Sequence, residues 1–406
     1  MKNLKQLLMT LILVFSFANL SFATSFSGYA GIKGDILSEK DSEDFDPIME
    51  LQAYFAGQLD FSNNFLVRAE LSVQTEDILK NGLFDDTKAT FCIDELSLTY
   101  IKPFLGITQY LSAFMGTFEP IGSDVFLQRH FGIEPITSFI TESWLGLKGS
   151  TVYPFYGLGG SYIVHINNKP IATGIYIYKN NENQDEENQL NLDYRFSSVL
   201  PNLALDFAIG VGAPLETKNG ADDVILLIDK LYLHTGIDLL LGNKYSPASL
   251  FLQGGFNNLP LTAEDSKNEI DSDDIYLIVE PRIRSANFNT HITMFSVPQE
   301  TVDKLIFIDN TFGFNLSIFT DKLYIRNKDF TFGFHTTLSF PNRDFLDLKR
   351  INELIDDDYS VKISPFLYAP VMKGTLKAML HAKIKGLNKD TWTNAFKFSI
   401  GYKSQL

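Results

Sequence analysis

The chain has 406 residues, with 49 acidic side chains against 34 basic ones and a net charge of −15 at pH 7. That balance disfavours nucleic-acid binding, because phosphate contacts need a basic surface. The single cysteine, Cys92, excludes an intrachain disulfide.

The N-terminal segment has the layout of a signal peptide. Lys2 and Lys5 precede an uncharged apolar run from Leu7 to Phe17, and Ala23 is a small residue suited to cleavage. The alternative, an N-terminal membrane anchor, is disfavoured because a spanning helix needs about 20 apolar residues. We therefore expect residues 1–23 to be a signal peptide and residues 24–406 to form one exported domain.

Alternation of apolar and polar residues with a period of two recurs along the rest of the chain. From Leu203 to Ala213, for example, the odd positions are apolar, and the even positions are small or acidic. Such alternation is typical of strands whose two faces meet different environments. The clearest runs have about 11 residues, enough for a tilted strand to cross a membrane, whereas globular strands are usually nearer 5–6.

The same pattern predicts nineteen strands, near residues 26–37, 48–61, 65–75, 90–101, 108–118, 140–150, 155–165, 170–179, 190–198, 203–213, 230–241, 248–256, 275–284, 288–297, 309–320, 330–340, 359–368, 372–386 and 392–402. Single-chain bacterial barrels have even strand numbers, so at least one of these strands is spurious, merged or missed. The conflict falls between residues 119 and 169, where two series of alternating long and short links collide. We expect an all-β fold, an antiparallel up-and-down barrel of about 18 strands, with a range of 16–20.

Long links alternate with short turns such as Ser285 to Asn287 and Ala369 to Val371, although the link from Leu387 to Thr391 is short where a long one is expected. Long exterior loops and short periplasmic turns are typical of outer-membrane barrels. Five links hold 25 of the 49 acidic residues: 38–47, 180–189, 214–229, 257–274 and 341–358. They predict a solvated, mutually repulsive loop surface or, alternatively, a surface that attracts cations.

The polar face of the strands carries charges of both signs. Its bases are Arg68, Arg195, Arg282, Arg284, Lys362, Lys377, Lys383, Lys385 and Lys397, and its acids are Glu70, Glu95, Asp193, Asp206, Asp238 and Glu280. These residues are the candidate pore-lining side chains, and some of them, such as Arg68 and Glu70, could simply pair with each other. The mixture leaves the ion preference open.

Residues 119–139 form a long link after about the fifth strand. In its position the link resembles the loop that general porins fold into the pore to narrow it. The resemblance makes its residues Asp124, Arg129, His130 and Glu134 candidates for a constriction, where charged groups set selectivity. The alternatives are an ordinary exterior loop and an unrecognised strand around residues 126–133.

Sequence motifs of enzymes are absent. The chain has no GxSxG, HExxH, P-loop or CxxC sequence, and its six histidines are scattered. A metal site needs two or more ligands at short spacing. We expect neither catalysis nor a metal or cofactor.

Alternation, strand length and loop sorting together resemble those of bacterial outer-membrane porins as a class. The resemblance covers nearly the whole mature chain, and it implies a transmembrane barrel in the outer membrane that lets small polar solutes diffuse through. It also implies contact with membrane lipid and the barrel-assembly machinery, and it leaves room for a homo-oligomer. Many such barrels end in an aromatic residue, whereas this chain ends in Leu406. The alternatives are a barrel acting as a surface adhesin or receptor through its acidic loops and a soluble exported β-protein.

Overall fold

A computed structural model describes residues 25–38, 47–81, 88–122, 124–141, 155–180, 188–217, 224–243, 245–261, 275–302, 305, 308–321, 323–325, 328–341, 359–385 and 395–406. The predicted signal peptide, residues 1–23, lies outside this part of the chain and stays a prediction. The acid-rich links also fall largely outside it.

Twenty strands and three short helices make up the described part of the protein. The first ten strands are β1 Ser25–Ser38, β2 Pro47–Ser62, β3 Phe65–Thr75, β4 Ala89–Phe104, β5 Ile107–Phe118, β6 Phe155–Ile166, β7 Ile171–Asn180, β8 Gln189–Leu200, β9 Leu203–Thr217 and β10 Val224–Leu226. The others are β11 Tyr232–Leu241, β12 Ala248–Pro260, β13 Ile275–Arg284, β14 Phe288–Ser296, β15 Phe312–Thr320, β16 Leu323–Ile325, β17 Lys328–Phe340, β18 Ser360–Val371, β19 Gly374–Lys383 and β20 Phe396–Gln405. The helices are α1 Ile78–Asn81, α2 Asp124–Phe131 and α3 Gln299–Val302.

The strands form one closed antiparallel barrel. Each wall strand pairs with its neighbour in sequence, and β1 pairs with β20 to close the sheet, from Tyr29 opposite Gln405 to Leu37 opposite Lys397. The three-residue strands β10 and β16 pair only with β9 and β17, so they extend hairpins and add no strand to the wall. The wall therefore has eighteen strands, which confirms the predicted fold class and strand number.

The two faces of the wall differ in polarity as the alternation predicts. On β4, Leu96 and Leu98 are exposed on the outer face, whereas Glu95, Ser97 and Thr99 are buried inside. Side chains of successive strand residues point to opposite faces, so one register fixes both surfaces. The outer surface is apolar and the interior is polar.

Links sort by length onto the two ends of the barrel. Nine links of 8 to 36 residues alternate with eight turns of 2 to 7 residues. We call the two ends the long-link end and the short-turn end. The predicted exception at residues 387–391 disappears, because β19 ends at Lys383 and β20 begins at Phe396, which makes this link as long as the others at its end.

No strand of the wall corresponds to the predicted strand at 140–150. β5 pairs directly with β6, so no wall strand lies between them, and Ile140 and Thr141 form a turn; residues 142–150 lie outside the described part. The alternative of a strand at 126–133 is also wrong, because Asp124–Phe131 is a helix. Phe126, Leu127 and His130 are all buried, and their spacing places them on one face of a helix rather than of a strand.

Within the described residues, no helix combines the length and the apolar character that a membrane crossing requires.

The apolar outer face gives the first testable prediction. Leu96 lies on the outer face at the middle of β4, and Phe104 is exposed at its end. In phospholipid bilayers, Leu96→Arg should lower the free energy of unfolding by about 2–4 kcal/mol and Phe104→Arg by only about 0–1 kcal/mol, because the cost of a lipid-facing arginine depends on depth. Urea titrations followed by heat-modifiable gel mobility measure both, and equal losses would contradict a lipid-facing wall.

Candidate functional site in the barrel lumen

Polar side chains fill the inward face of the strands. On β8, Asn191, Asp193, Arg195 and Ser197 are at most 1% exposed, while Leu192, between them, lies on the outer face. In a barrel this wide, the inward face of the wall would be exposed to water if nothing else filled the lumen. The complete burial of these charged groups therefore means that another part of the chain covers them. The cover comes from the link between β5 and β6.

Residues 119–122 and 124–141 of that link fold into the lumen, and we call them the inserted segment. Gly122 donates a backbone hydrogen bond to Asp206 on β9, at 2.7 Å. Ser138 donates one to Glu280 on β13. The ring of Phe139 lies 4.8 Å from that of Phe319 on β15. Because β5 and β15 lie half the circumference apart in the eighteen-strand wall, the segment crosses the full width of the barrel.

Arg195 and Asp206 form the first anchor of the inserted segment. The guanidinium donates two bonds to the carboxylate, Nε to Oδ1 at 2.9 Å and Nη2 to Oδ2 at 2.6 Å. It also donates from Nη1 to the Glu119 carbonyl at 2.6 Å. The Phe126 ring of α2 lies 3.6 Å from the guanidinium carbon. One fully buried arginine thus joins the wall, the start of the segment and its helix.

Gly122 sits where no side chain fits. Its φ is +72°, and a Cβ atom there would lie 1.6 Å from Oδ2 of Asp238 and 2.8 Å from the Ile136 carbonyl oxygen. The backbone needs the left-handed conformation that glycine adopts without steric cost. The close approach lets the Gly122 amide reach Asp206.

Glu280 is the centre of the second anchor. Its carboxylate accepts hydrogen bonds from Ser138 of the segment, from Thr293 on β14 at 2.6 Å and from Arg282 Nε at 2.7 Å. Arg282 Nη2 in turn donates to the Thr137 carbonyl at 2.6 Å. The arrangement repeats the first anchor, with a wall ion pair holding segment backbone.

Helix α2 packs by rings and apolar side chains. The His130 ring lies 4.5 Å from Tyr110 and 4.4 Å from Phe126, centroid to centroid. Burial lowers the pKa of His130 well below its ordinary value of 6.5, and the nearby Arg129 lowers it further. The imidazole is therefore neutral at pH 7. Arg129 pairs with Glu119 at the start of the segment.

The predicted constriction residues all lie in the inserted segment, and those whose side chains the structure describes differ in burial. Asp124 is the first residue of α2. Arg129 and His130 are directed into the packed interior. Glu134 follows the helix and is exposed.

The predicted pore-lining residues separate into two groups. Asp193, Arg195, Asp206, Asp238 and Glu280 are at most 1% exposed, and Asp193 pairs with His234 on β11. Arg68, Glu70 and Glu95 also form a buried cluster, which contains the Arg68–Glu70 pair suggested by the sequence. Among the predicted pore-lining residues, the most accessible are basic: Lys383 is 48% and Lys397 37% exposed. Arg282 is largely covered, Arg284 pairs with Asp321 at the short-turn end, and Lys377 lies over the Tyr368 ring.

Sequence reasoning missed Lys33, Asp35 and Asp309. Lys33 and Asp35 share the inward face of β1 and form an ion pair with Nζ to Oδ2 at 2.8 Å. Reading the polar face of β1 would have found them. Asp309 lies in the link before β15 and bonds Lys362 Nζ at 2.6 Å. No pattern in the sequence connects these two residues, which are 53 positions apart.

Asp309 accepts bonds that stabilise its charged form. Burial alone would raise the pKa of Asp309, but Lys362, the Ser360 hydroxyl and Lys383 together lower it below its ordinary value of 3.8. A carboxylate with a lowered pKa stabilises the fold above its unfolded-state pKa, and this contribution is lost as the pH falls through the folded-state value.

Gly122 and Gly132 provide a matched pair of variants. Both have positive φ, +72° and +67°, but a Cβ at Gly132 meets nothing within 4 Å. Gly132→Ala should cost about 1–2 kcal/mol from the left-handed backbone alone, and Gly122→Ala about 1–3 kcal/mol more from the clash. Urea unfolding and limited proteolysis within the inserted segment measure the difference. Equal effects would show that Gly122 is not pressed against Asp238.

Asp309→Asn tests the ion pair by its pH dependence. The wild type should exceed this variant in unfolding free energy at pH 6. The difference should shrink as the pH falls below about 4, because the unfolded chain then binds a proton at Asp309 while the folded chain, with its lowered pKa, still does not. Urea titrations of both proteins across this pH range measure it. A difference that is constant with pH would contradict a charged Asp309.

Comparisons with known proteins were made for the whole chain. No protein-family model matches it, and no curated protein sequence matches it. Among solved structures, a triple mutant of the Rhodopseudomonas blastica porin aligns at 9% identity over 94% of this chain and 100% of that chain, with a TM-score of 0.45. Another engineered variant of that porin aligns at 10% identity over the same shares, with a TM-score of 0.46. In closure, strand number and loop sorting, the protein resembles the porin class of barrels.

Proposed function

We propose that the protein is an outer-membrane, porin-like channel for passive diffusion of small polar solutes, exported through its N-terminal signal peptide. The observation that carries the proposal is a closed eighteen-strand wall with an apolar outside and a polar inside. A barrel of this size leaves an aqueous lumen unless it is plugged. In this proposal the outer face contacts membrane lipid. The proposal also includes insertion by the barrel-assembly machinery and assembly into a homo-oligomer.

The inserted segment acts in this proposal as the constriction. Two buried ion pairs hold its ends, Arg195–Asp206 and Arg282–Glu280. A fixed segment keeps the narrow part of a pore at constant width, because its backbone is bonded to the wall on both sides. Glu134 is exposed between the anchors, where a charge would meet passing solutes.

A channel fits the lumen better than an enzyme does. The described part of the chain contains two serine–histidine pairs, Ser317 with His335 and Ser364 with His381, at 2.7 and 2.9 Å. Both histidines are at most 3% exposed, so a substrate carbonyl has little access to the serines. These pairs serve as cross-strand contacts in the wall.

Thiol labelling at the constriction tests the proposal. In a Cys92→Ser background, purified protein added to planar bilayers should give stepwise conductance. Glu134→Cys should add a site at which a bulky methanethiosulfonate lowers each step, because the label occupies the narrow part of the lumen. Met372→Cys is the control, since residue 372 is exposed in the β18–β19 turn, and its labelling should leave the steps unchanged.

Two results would contradict the proposal. Absence of conductance at high protein concentration would contradict the channel function. Equal effects of labelling at the two sites would contradict the role of the inserted segment as a constriction.

A further inference from the structure

The acids of the lumen are withdrawn from solvent. Asp193, Asp206, Asp238 and Glu280 are at most 1% exposed, and the inserted segment lies against Asp206, Asp238 and Glu280. Burial in these networks keeps their charges away from a passing solute. The sign of the accessible lumen therefore depends on the remaining wall and on Glu134, which is exposed in the inserted segment.

Four lysines and two aspartates lie together on that wall, and we call them the lysine patch: Lys33, Asp35, Asp309, Lys362, Lys383 and Lys397. Asp309 lies between two ammonium groups, Lys362 at 2.6 Å and Lys383 at 3.9 Å. Asp35 likewise lies between Lys33 at 2.8 Å and Lys397 at 3.2 Å. Each carboxylate is shared by two ammonium groups, so these six residues carry an excess of two positive charges. Glu50 on β2 is opposite Asp35 on the same face, and its carboxylate reduces the local excess to one.

The strand register makes the patch continuous. Lys362 on β18 is opposite Lys383 on β19, and Lys397 on β20 is opposite His381, two residues from Lys383. Asp35 on β1 is opposite Ser399, two residues from Lys397. The patch spans four neighbouring strands near the long-link end, because Lys383 ends β19 and Lys397 is the second residue of β20.

Exposure within the patch favours its bases. The Lys383 and Lys397 side chains are 48% and 37% exposed, whereas Asp35 is 9% and Asp309 26% exposed. Lysine carries a point charge on a flexible stem with three donors, so both ammonium groups can turn towards a solute while still near their carboxylates. A solute that reaches the patch meets cations first.

We propose that the lysine patch binds anionic solutes and gives the channel a preference for anions. The inference rests on the proposed channel function for its selectivity but not for the binding itself. Carboxylates, phosphates and sulfonates share the required chemistry, a compact negative charge that accepts hydrogen bonds from ammonium groups.

Charge reversal at the exposed lysines tests the proposal. In a KCl gradient across planar bilayers, the reversal potential of the wild type should report chloride preference. Lys383→Glu and Lys397→Glu should each move it towards potassium preference, whereas Lys383→Arg should retain the wild-type value. Lys373→Glu is the matched control, because Lys373 is exposed in the β18–β19 turn, at the opposite end of the barrel.

A binding measurement separates this proposal from the channel function. A pyrene trisulfonate dye should bind the detergent-solubilised barrel, with rising fluorescence anisotropy that added salt reverses. Each charge reversal should weaken this binding by at least about tenfold at low ionic strength, and Lys373→Glu should leave it within about twofold. Heat-modifiable mobility confirms that every variant is folded.

The outcomes are distinct. Dye binding without conductance would support the anion site and contradict the channel function. Conductance that prefers potassium, with no dye binding, would overturn the anion site and support the channel function. Equal loss of binding in Lys373→Glu would also overturn the patch, because the effect would then follow net charge.

Discussion

Closure of the sheet is the constraint on which the rest of the structure depends. The pairing of β1 with β20 leaves the eighteen-strand wall without a free edge, so ladder hydrogen bonds satisfy the backbone all round, as an apolar surrounding requires. Once the backbone is paired, the period of two decides where each side chain lies. Apolar residues such as Leu96 then face outwards, and the polar face encloses a space too wide for strand side chains to fill.

The inserted segment occupies part of that space, and buried ion pairs hold it. Burial of Arg195 is costly, and the bidentate bond to Asp206 with the Glu119 carbonyl offsets that cost. Removal of one partner of such a pair typically costs about 3–5 kcal/mol, because the other charge stays buried and uncompensated. Apolar contacts of α2 would tolerate small shifts, whereas forked hydrogen bonds fix both distance and direction. The anchors thus define where the segment lies, and the rings around Phe126 add the apolar contact area.

The sequence predicts the wall well and the lumen poorly, for one physical reason. Strand alternation is local, so β3 and β13 begin and end at the predicted residues, 65–75 and 275–284. The inserted segment breaks this locality, since the partners of Ser138 and Thr137 are Glu280 and Arg282, more than 140 positions away. Apolar residues such as Ile140 face a packed interior there instead of lipid, and strand periodicity cannot distinguish the two apolar surroundings. The sequence alone places Arg129 and Glu134 in the link. It does not predict that Arg129 is directed into the packed interior or that Glu134 is exposed.

The charge that a solute meets in the lumen also depends on where charged residues lie, and not only on how many there are. The chain is strongly acidic, and the strand pattern alone gives a lumen of mixed sign. A buried carboxylate that is paired with a guanidinium exerts little net field on a solute at a distance, because the two opposite charges largely cancel. Asp206 and Glu280 form ion pairs with arginines under the inserted segment. The ammonium groups of Lys383 and Lys397, in contrast, are partly exposed to solvent. By covering acids on one side of the barrel, the inserted segment leaves Lys383 and Lys397 on the opposite wall as exposed charges, and our proposal of anion binding rests on this difference.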